Sequence, residues 1–495
     1  MNLQNPPLIR RTLRHALLVG AGALLAACAA VGPDYRVPEP DTAGPWTQPV
    51  PDTFVAGELS AWWRSLEDPV LERLVETALD GNLDLRQALA RIDEARAMRD
   101  RTAGALQPVV GTGASVGRQR ISENGSLPIG SIPGLDATQS VHDLGFDASW
   151  EIDLFGGQRR ALESADARLA ETWLEAEGVR MRVAAEVART WYEASGAARE
   201  LLARQGTVRT LEETLRLTHQ RHAAGDASRA EVDTIEAQLA IAYAGLPEIE
   251  ARQRASTLAL GVLLGQGPDA ELSVLDTLPD APQLLPLPVG ARADILRRRP
   301  DVLAAERRLA ASTADIGVAT AELLPKLTIG AGGGFQALDA GDWFQSSSTR
   351  FSVVPFLSWR VFDGGRVRAE IRAREAAAQR TALAYEQVVL TALSDAERAL
   401  GDYRAGLESL ARREMALAAN LRSHAHARAR YHAGDIALVE LLATERLLHE
   451  ARQTQAQAQT SAGIRLVALY KALGGGWKAP NEEQVATTDP VYSKR

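Results

Sequence analysis

The chain holds 495 residues with a formal charge of −8 at pH 7, 46% hydrophobic and 24% charged residues, and a single cysteine. This is a globular composition that excludes extended disorder, a disulfide scaffold and any multi-cysteine metal or iron–sulfur centre, and the acidic balance gives no footing for nucleic acid. Aromatics make up only 5%, while Ala, Leu, Arg and Glu dominate, the bias expected of long helices.

Arg10, Arg11 and Arg14 precede an apolar run from Ala16 to Ala27, which has the form of a secretory signal and is too short for a membrane span. The run closes on Leu25-Ala26-Ala27-Cys28, which resembles the bacterial lipobox. Residues 1–27 are then the signal peptide, and Cys28 is the lipidated first residue of the mature chain. An ordinary signal cut near a chance cysteine is the alternative. Ala29 follows the cysteine in place of an aspartate, which in that class accompanies sorting to the outer membrane. Several acyl chains give a stable anchor where one alone is marginal. Removing residues 1–27 takes away three arginines and no acids, leaving −11. Downstream there is no apolar stretch of about 18 residues, so a membrane role must come from strands or from the lipid.

The rest of the chain repeats one plan. Asn82-Leu83-Asp84-Leu85 aligns with Arg299-Pro300-Asp301-Val302, and Pro108 with Pro325, at an offset of 217. Gly156-Gly157 aligns with Gly364-Gly365 at 208, and Gly225-Asp226 with Gly434-Asp435 at 209. Leu264-Gly265-Gln266-Gly267 aligns with Leu473-Gly474-Gly475-Gly476 at the same offset of 209. Two halves of about 185 residues result, joined by the proline-rich stretch from Pro268 to Pro288.

Each half alternates two periodicities. Val389, Leu393, Ala396, Leu400, Tyr403, Leu407 and Leu410 form a heptad seam, matched in the first half by Leu201, Val208, Leu211, Leu215 and Thr218. No proline interrupts Gly157–Ala224 or Gly365–Ala433, so each run predicts one helix of about 67 residues, roughly 100 Å long at 1.5 Å per residue. Such helices must pack on one another as coiled coil, with turns at Gly225 and Gly434 sending the chain back antiparallel. Strands are predicted where the period changes to two. Leu144, Phe146, Ala148, Trp150, Ile152 and Leu154 share one face, and Asp143, Gly145, Asp147, Ser149, Glu151 and Asp153 the other. Phe351, Val353, Pro355, Leu357, Trp359 and Val361 likewise oppose Arg350, Ser352, Ser358 and Arg360. Glycine-rich partners are expected at about Val109–Arg120 and Leu327–Phe335. The alternation suits a transmembrane barrel and equally an ordinary half-buried hairpin. Four strands cannot close a barrel, and lipid tolerates no open edge, so a barrel needs strands from other copies. Three copies supply twelve strands and twelve long helices.

Leu296-Arg297-Arg298-Arg299-Pro300-Asp301-Val302 with Ala305-Glu306 and Leu309, Ile316-Gly317-Val318-Ala319 through Leu324-Pro325, and Phe362-Asp363-Gly364-Gly365 carry a family resemblance. So do Leu469-Tyr470-Lys471-Ala472-Leu473-Gly474-Gly475-Gly476-Trp477, Val31-Gly32-Pro33-Asp34-Tyr35, and Trp62-Trp63 ahead of Asp68-Pro69. Together, from Cys28 to Trp477, they resemble the outer-membrane factors (outer-membrane efflux lipoproteins) of tripartite pumps. The resemblance implies an α+β membrane protein: a homotrimer whose twelve-stranded β-barrel, four strands per chain, continues into a long antiparallel coiled-coil α-barrel across the periplasm. It implies an exit duct that passively passes drugs or other small solutes, served by a periplasmic membrane-fusion adaptor and an inner-membrane transporter of the resistance–nodulation–division type. Metal-ion or protein export is the alternative cargo, although four methionines give no ligand-lined path. The implied domain plan is a signal (1–27), an anchor and equatorial segment (28–68), a first repeat (69–267, hairpin about 109–155, helices 157–264) and a linker (268–290). A second repeat (291–476, hairpin about 327–363, helices 365–473) and a tail (477–495) follow.

In this family the helix turns form the periplasmic tip, where acids ring an aperture. Glu231 and Glu440, each six positions past a turn glycine, are the expected gate acids, joined by Asp233; three-fold rings of carboxylates would favour cations. Solvated first-turn acids favoured by the helix dipole are the alternative. Many members carry an aspartate nine positions past the second glycine, where this chain has Ala443. Arg221, His222, Gly225 and Asp226, with Arg430, Tyr431, Gly434 and Asp435, are the expected tip and adaptor contacts. Trp150, Trp359, Trp343 and Phe344 are the expected membrane-interface aromatics, with hairpin core as the alternative. No cofactor beyond the Cys28 lipid is expected, and no enzyme chemistry. Gly113-Ala114-Ser115-Val116-Gly117 has the nucleophile-elbow spacing but lies in a strand with no helix after it. The pairs His219/His222 and His424/His426 lack a third ligand. Gly332-Gly333-Gly334 lacks the lysine of a phosphate loop and reads as a strand end.

Overall fold

The computed structural model describes residues 30–38, 44–47, 59–122, 136–276, 278, 284 and 292–478; Cys28 and most of the expected linker and tail lie outside them. In chain order the elements are α1 (Pro69–Gly81), α2 (Leu83–Gly104), β1 (Val109–Arg120), β2 (Thr138–Ile152), α3 (Gly157–Ala223), α4 (Arg229–Ala244) and α5 (Leu246–Leu263). After them come α6 (Asp294–Arg298), α7 (Pro300–Ala321), β3 (Lys326–Ala337), β4 (Thr349–Ser358), α8 (Arg366–His432) and α9 (Leu438–Ala472). The chain is therefore α+β. Among the described residues no helix is long and apolar enough to cross a membrane. Two compact units are present: Met1–Pro38, Asp93–Glu171 and Glu306–Ala384 form one, and Glu39–Ile92, Thr172–Ala305 and Tyr385–Arg495 the other.

In the first unit the four strands make one antiparallel sheet in the order β1-β2-β3-β4. The register aligns the alternation of the four strands, except that Val354 and Phe356 of β4 fall on the face of Arg350 and Ser352. Phe146 faces Thr112 and Gly333, and Gly333 faces Phe351; Ala148, Val110, Ala331 and Val353 form the next row. On the opposite face lie Asp143, Ser115 and Gln336, then Gly113, Gly145, Gly334 and Arg350, then Gly111, Asp147, Gly332 and Ser352. β1 keeps its expected bounds, β2, β3 and β4 begin earlier than their sequence alternation, and β4 ends before Trp359. Gly332-Gly333-Gly334 sits within β3, not at its end, because β4 continues the ladder beside it as far as the Phe335–Thr349 pair.

The residues that follow the cysteine are pinned to the start of α3. Val31 N–H donates to the Phe155 carbonyl at 3.0 Å. Arg160, with a side chain only 6% exposed, donates to the Val31 carbonyl at 3.1 Å and to Asp34 at 2.5 Å, and also pairs with Glu163 at 2.7 Å. Tyr35 donates to Glu306 across 271 residues of chain. Gly32 packs so closely on Gly317 that a Cβ at residue 32 would come within 2.4 Å of its Cα.

The second unit holds the main core. The heptad seam is buried as its period requires: Val389, Leu393, Ala396, Leu400 and Tyr403 are each at most 5% exposed. They pack with Trp62, Trp63, Leu71, Leu74, Val187, Trp191 and Leu469. Both long helices span 67 residues. The returns differ. The second is one helix of 35 residues, whereas the first is cut into α4 and α5 at Gly245-Leu246-Pro247. Proline has no N–H for the ladder and is tolerated only in a first turn, so Pro247 starts a new helix where the repeat alone predicted continuity.

The motifs that carry the family resemblance are joints of this core. Asp68 caps α1, accepting from Val70 and Leu71 N–H at 3.0 Å each, and accepts from Trp191 Nε1 at 2.7 Å. Arg299 grips Asp301 with two bonds, at 3.0 and 2.6 Å, and reaches the Ala392 carbonyl of α8. Trp477 Nε1 donates to the Arg298 carbonyl at 2.9 Å.

Candidate functional site

The two turns between long helices are closed by the same device. At the first, Gly225 N–H bonds the His222 carbonyl and Asp226 N–H the Arg221 carbonyl; at the second, Gly434 bonds Tyr431 and Asp435 bonds Arg430. This crossed pair of bonds is the Schellman motif, which needs a left-handed residue, and Gly225 and Gly434 have φ of 88° and 82°. Asp226 and Asp435 thus act through their backbones. His222 Nδ1 lies 2.8 Å from the Ala227 carbonyl, and Arg221 donates to the Asp226 carbonyl at 3.1 Å.

Arg221 also joins the two hairpins. Its guanidinium donates to the Tyr431 hydroxyl and stands 5.6 Å from the centre of that ring. Beneath them Ile235, Ala427, Leu438, Leu441 and Leu442 form a small buried cluster against which Leu215, Tyr431 and Ile436 pack. Arg430 is exposed.

The three expected gate acids are in unlike situations. Glu231 belongs to a capping box: its Oε2 accepts from Ser228 N–H at 2.6 Å, while Glu231 N–H donates to Ser228 Oγ at 3.2 Å. The Ser228 N–H holds its carboxyl below the ordinary 4.5. Asp233 pairs with Arg229 one turn away at 2.8 Å. Glu440 occupies the same place in α9, but the cap there is Ala437, which has no side-chain oxygen to complete a box, and Glu440 is exposed. The sequence reading missed Ser228 and Arg229, although Ser228-Arg229-Ala230-Glu231 spells the box outright. Because the folded-state pKa of Glu231 is depressed, its contribution is present above pH 4.5 and is lost as pH falls through the folded value. Ser228→Ala is expected to cost α4 about 1 kcal/mol, seen as faster amide exchange in its first turn at pH 7, and the difference from wild type persists once Glu231 is protonated, because Ser228 Oγ accepts from the Glu231 N–H whatever the state of that carboxyl.

In the sheet unit the aromatics fall at both strand ends. Trp150 Nε1 donates to the Leu106 carbonyl at 2.9 Å and Trp359 Nε1 to the Leu323 carbonyl at 3.0 Å, equivalent bonds in the two halves. Trp343 and Phe344 lie in the β3–β4 connection, stacked with centroids 5.2 Å apart, and Phe344 packs on Phe335. On the polar face Asp143 receives Arg350 at 2.7 and 3.0 Å and Gln336 at 2.9 Å. The alternation had put Asp143 and Arg350 on one face, but only the β2–β3–β4 register brings them together. Ser115 lies in β1 as an ordinary strand residue. His219 faces Glu236 at 3.6 Å, and among the described residues no group of three or more ligating side chains is present.

The family model for outer membrane efflux proteins matches residues 74–266 and 292–475. The chain is 31% identical to the pyoverdine export outer membrane protein OpmQ of Pseudomonas putida, over 94% of this chain and 98% of that one. It is also 31% identical to the outer membrane protein OprJ of Pseudomonas aeruginosa, over 93% and 95%. Among solved structures, the outer-membrane channel OprN superposes with a TM-score of 0.79 at 36% identity, covering 90% of this chain and 99% of that one. The open state of the Neisseria gonorrhoeae MtrE outer membrane channel superposes with a TM-score of 0.79 at 25% identity, covering 91% and 99%.

Proposed function

The chain belongs to the outer membrane efflux protein family, and from that premise we propose that three copies close one barrel of twelve strands and one tunnel of long helices. It is an outer-membrane transport protein and not an enzyme. The observation that carries the trimer is the sheet. Among the described residues it has four strands, no further strand pairs with the outer edges of β1 and β4, and its apolar face leaves Phe351 90% and Val353 67% exposed. A sheet with open edges and an apolar face cannot stand in lipid alone, and adding copies of the same sheet satisfies both demands.

The duct is passive and takes its cargo from a periplasmic adaptor and an inner-membrane transporter of the resistance–nodulation–division type. Relatives named for pyoverdine export, toluene efflux and antibiotic efflux support small organic solutes as the cargo class. The tips form the periplasmic aperture and the adaptor contact. Glu440 is the acid best placed to face an ion, since capping engages Glu231 and Arg229 engages Asp233. Trp150 and Trp359 mark one membrane boundary, and Trp343 with Phe344 the other. Cys28 carries the lipid.

Extraction from the outer membrane in mild detergent tests this. The expected native mass, detergent subtracted, is three times that of the chain, with the intact mass of each chain beginning at an acylated Cys28 and with ion conductance in planar bilayers. A stable monomer, or absence from the outer membrane, would sink the shared barrel. An unmodified Cys28 would remove the anchor alone.

A further inference from the structure

We infer that Asp143 is a positioning residue that holds the Arg350 guanidinium flat against the sheet and thereby keeps the barrel lumen open. The inference rests on the three-copy barrel proposed above, in which the polar face of the sheet lines the lumen.

Arg350 stands in β4 opposite Gly334 of β3, and Gly334 stands opposite Gly145 of β2. From there the side chain reaches across β3 to Asp143 of β2 and closes a bidentate pair, Nη2 to Oδ1 at 2.7 Å and Nε to Oδ2 at 3.0 Å. Its tip passes close over Gly145, which has no side chain to meet it. A Cβ built on Gly145 would stand 3.1 Å from Arg350 Nη2. Gln336 fixes the carboxylate from the other side at 2.9 Å. A long cationic side chain is thus laid along a glycine floor and pinned at its tip by a planar two-bond contact, a geometry that guanidinium makes and ammonium does not.

Without the pin, the glycines offer no side chain to hold the arm down, and Asp147 in the next row acts on it through charge alone, with no hydrogen bond to fix its direction. In the trimer three guanidinium groups would then stand into the lumen, narrowing it and adding positive charge. With the pin in place, the arms occupy the wall and their charges are cancelled pairwise.

Single-channel recording on the full-length trimer separates bulk from charge. In 1 M KCl, where the Debye length is about 3 Å, fixed charge is screened and obstruction is not. Asp143→Asn should lower conductance there by about twofold and, at low salt, shift the reversal potential toward chloride. Asp143→Asn combined with Arg350→Gln should return the 1 M conductance to the wild-type value. Wild-type conductance in Asp143→Asn would overturn the inference, as would a loss that the double substitution fails to restore. If Asp143→Asn does not reach the membrane, Arg350→Lys replaces it: an unforked side chain should lower the 1 M conductance, and wild-type conductance would refute the pin. A wild-type protein that does not conduct would defeat the duct reading itself, a result distinct from any of these.

Discussion

Trp191→Ala is expected to cost about 3–5 kcal/mol through the cavity left by a fully buried ring. Trp191 is 1% exposed within the main core, and its indole N–H is the donor to Asp68 Oδ2 at 2.7 Å. The same substitution therefore strips a nine-tenths-buried carboxylate of a partner, adding roughly 1–3 kcal/mol for an unsatisfied buried group. Asp68 also caps α1 through its other oxygen, so the damage reaches the first helix of the family-matched region. Trp191→Phe separates the two contributions, because it keeps most of the volume and removes only the donor. Heat inactivation of the purified protein is the measurement, since large membrane proteins rarely unfold reversibly. The expected order of thermal resistance is wild type, then Trp191→Phe, then Trp191→Ala. Heat resistance of Trp191→Ala equal to that of wild type would mean the site collapses around the missing ring, against the close packing seen there.

Arg221→Ala is expected to raise the resting conductance of the channel. Arg221 is the side chain that bridges the first helix turn to the second, through the Tyr431 hydroxyl and ring. Each contact is exposed and individually weak; a cation over an aromatic face at the surface contributes about 0.5–1 kcal/mol. The tip is supported from below by the small cluster around Ile235 and Leu442, so removing the bridge loosens the turns without unfolding them. Tyr431→Phe keeps the ring and should open the channel less than Arg221→Ala. Tyr431→Ala should match Arg221→Ala, and the double variant should add nothing further, as for two halves of one contact. Planar-bilayer current at fixed voltage decides it: wild-type current from Arg221→Ala would exclude the bridge as a closing element.

Much of this architecture could be read from the chain because it is written in periodicities. The seam from Val389 to Leu410 states which face is buried, and the alternation of Leu144 to Ile152 states which residues share the apolar face; a one-residue error in either would misplace the whole set. Glycines at fixed offsets gave the turns, because Gly225 and Gly434 take a left-handed conformation that other residues avoid. Features that depend on partners far along the chain could not be read. Nothing local to Asp143 announces Arg350, and nothing local to Asp68 announces Trp191. The capping of Glu231 is local and legible, since Ser228 stands three residues before it. Pro247 is local too, and it breaks the first return where the second runs on unbroken.

The clasp around Arg160 has a consequence in time. Its parts come from Val31 and Asp34, from Phe155 and Arg160, and from Glu306 and Gly317. An exported chain emerges from its amino end, so the first of these residues waits for the last. Loop closure across 271 residues comes late in any folding sequence governed by chain entropy. The stretch from Val31 to Tyr35 is therefore the earliest part of the clasp to arrive outside and among the last to be seated.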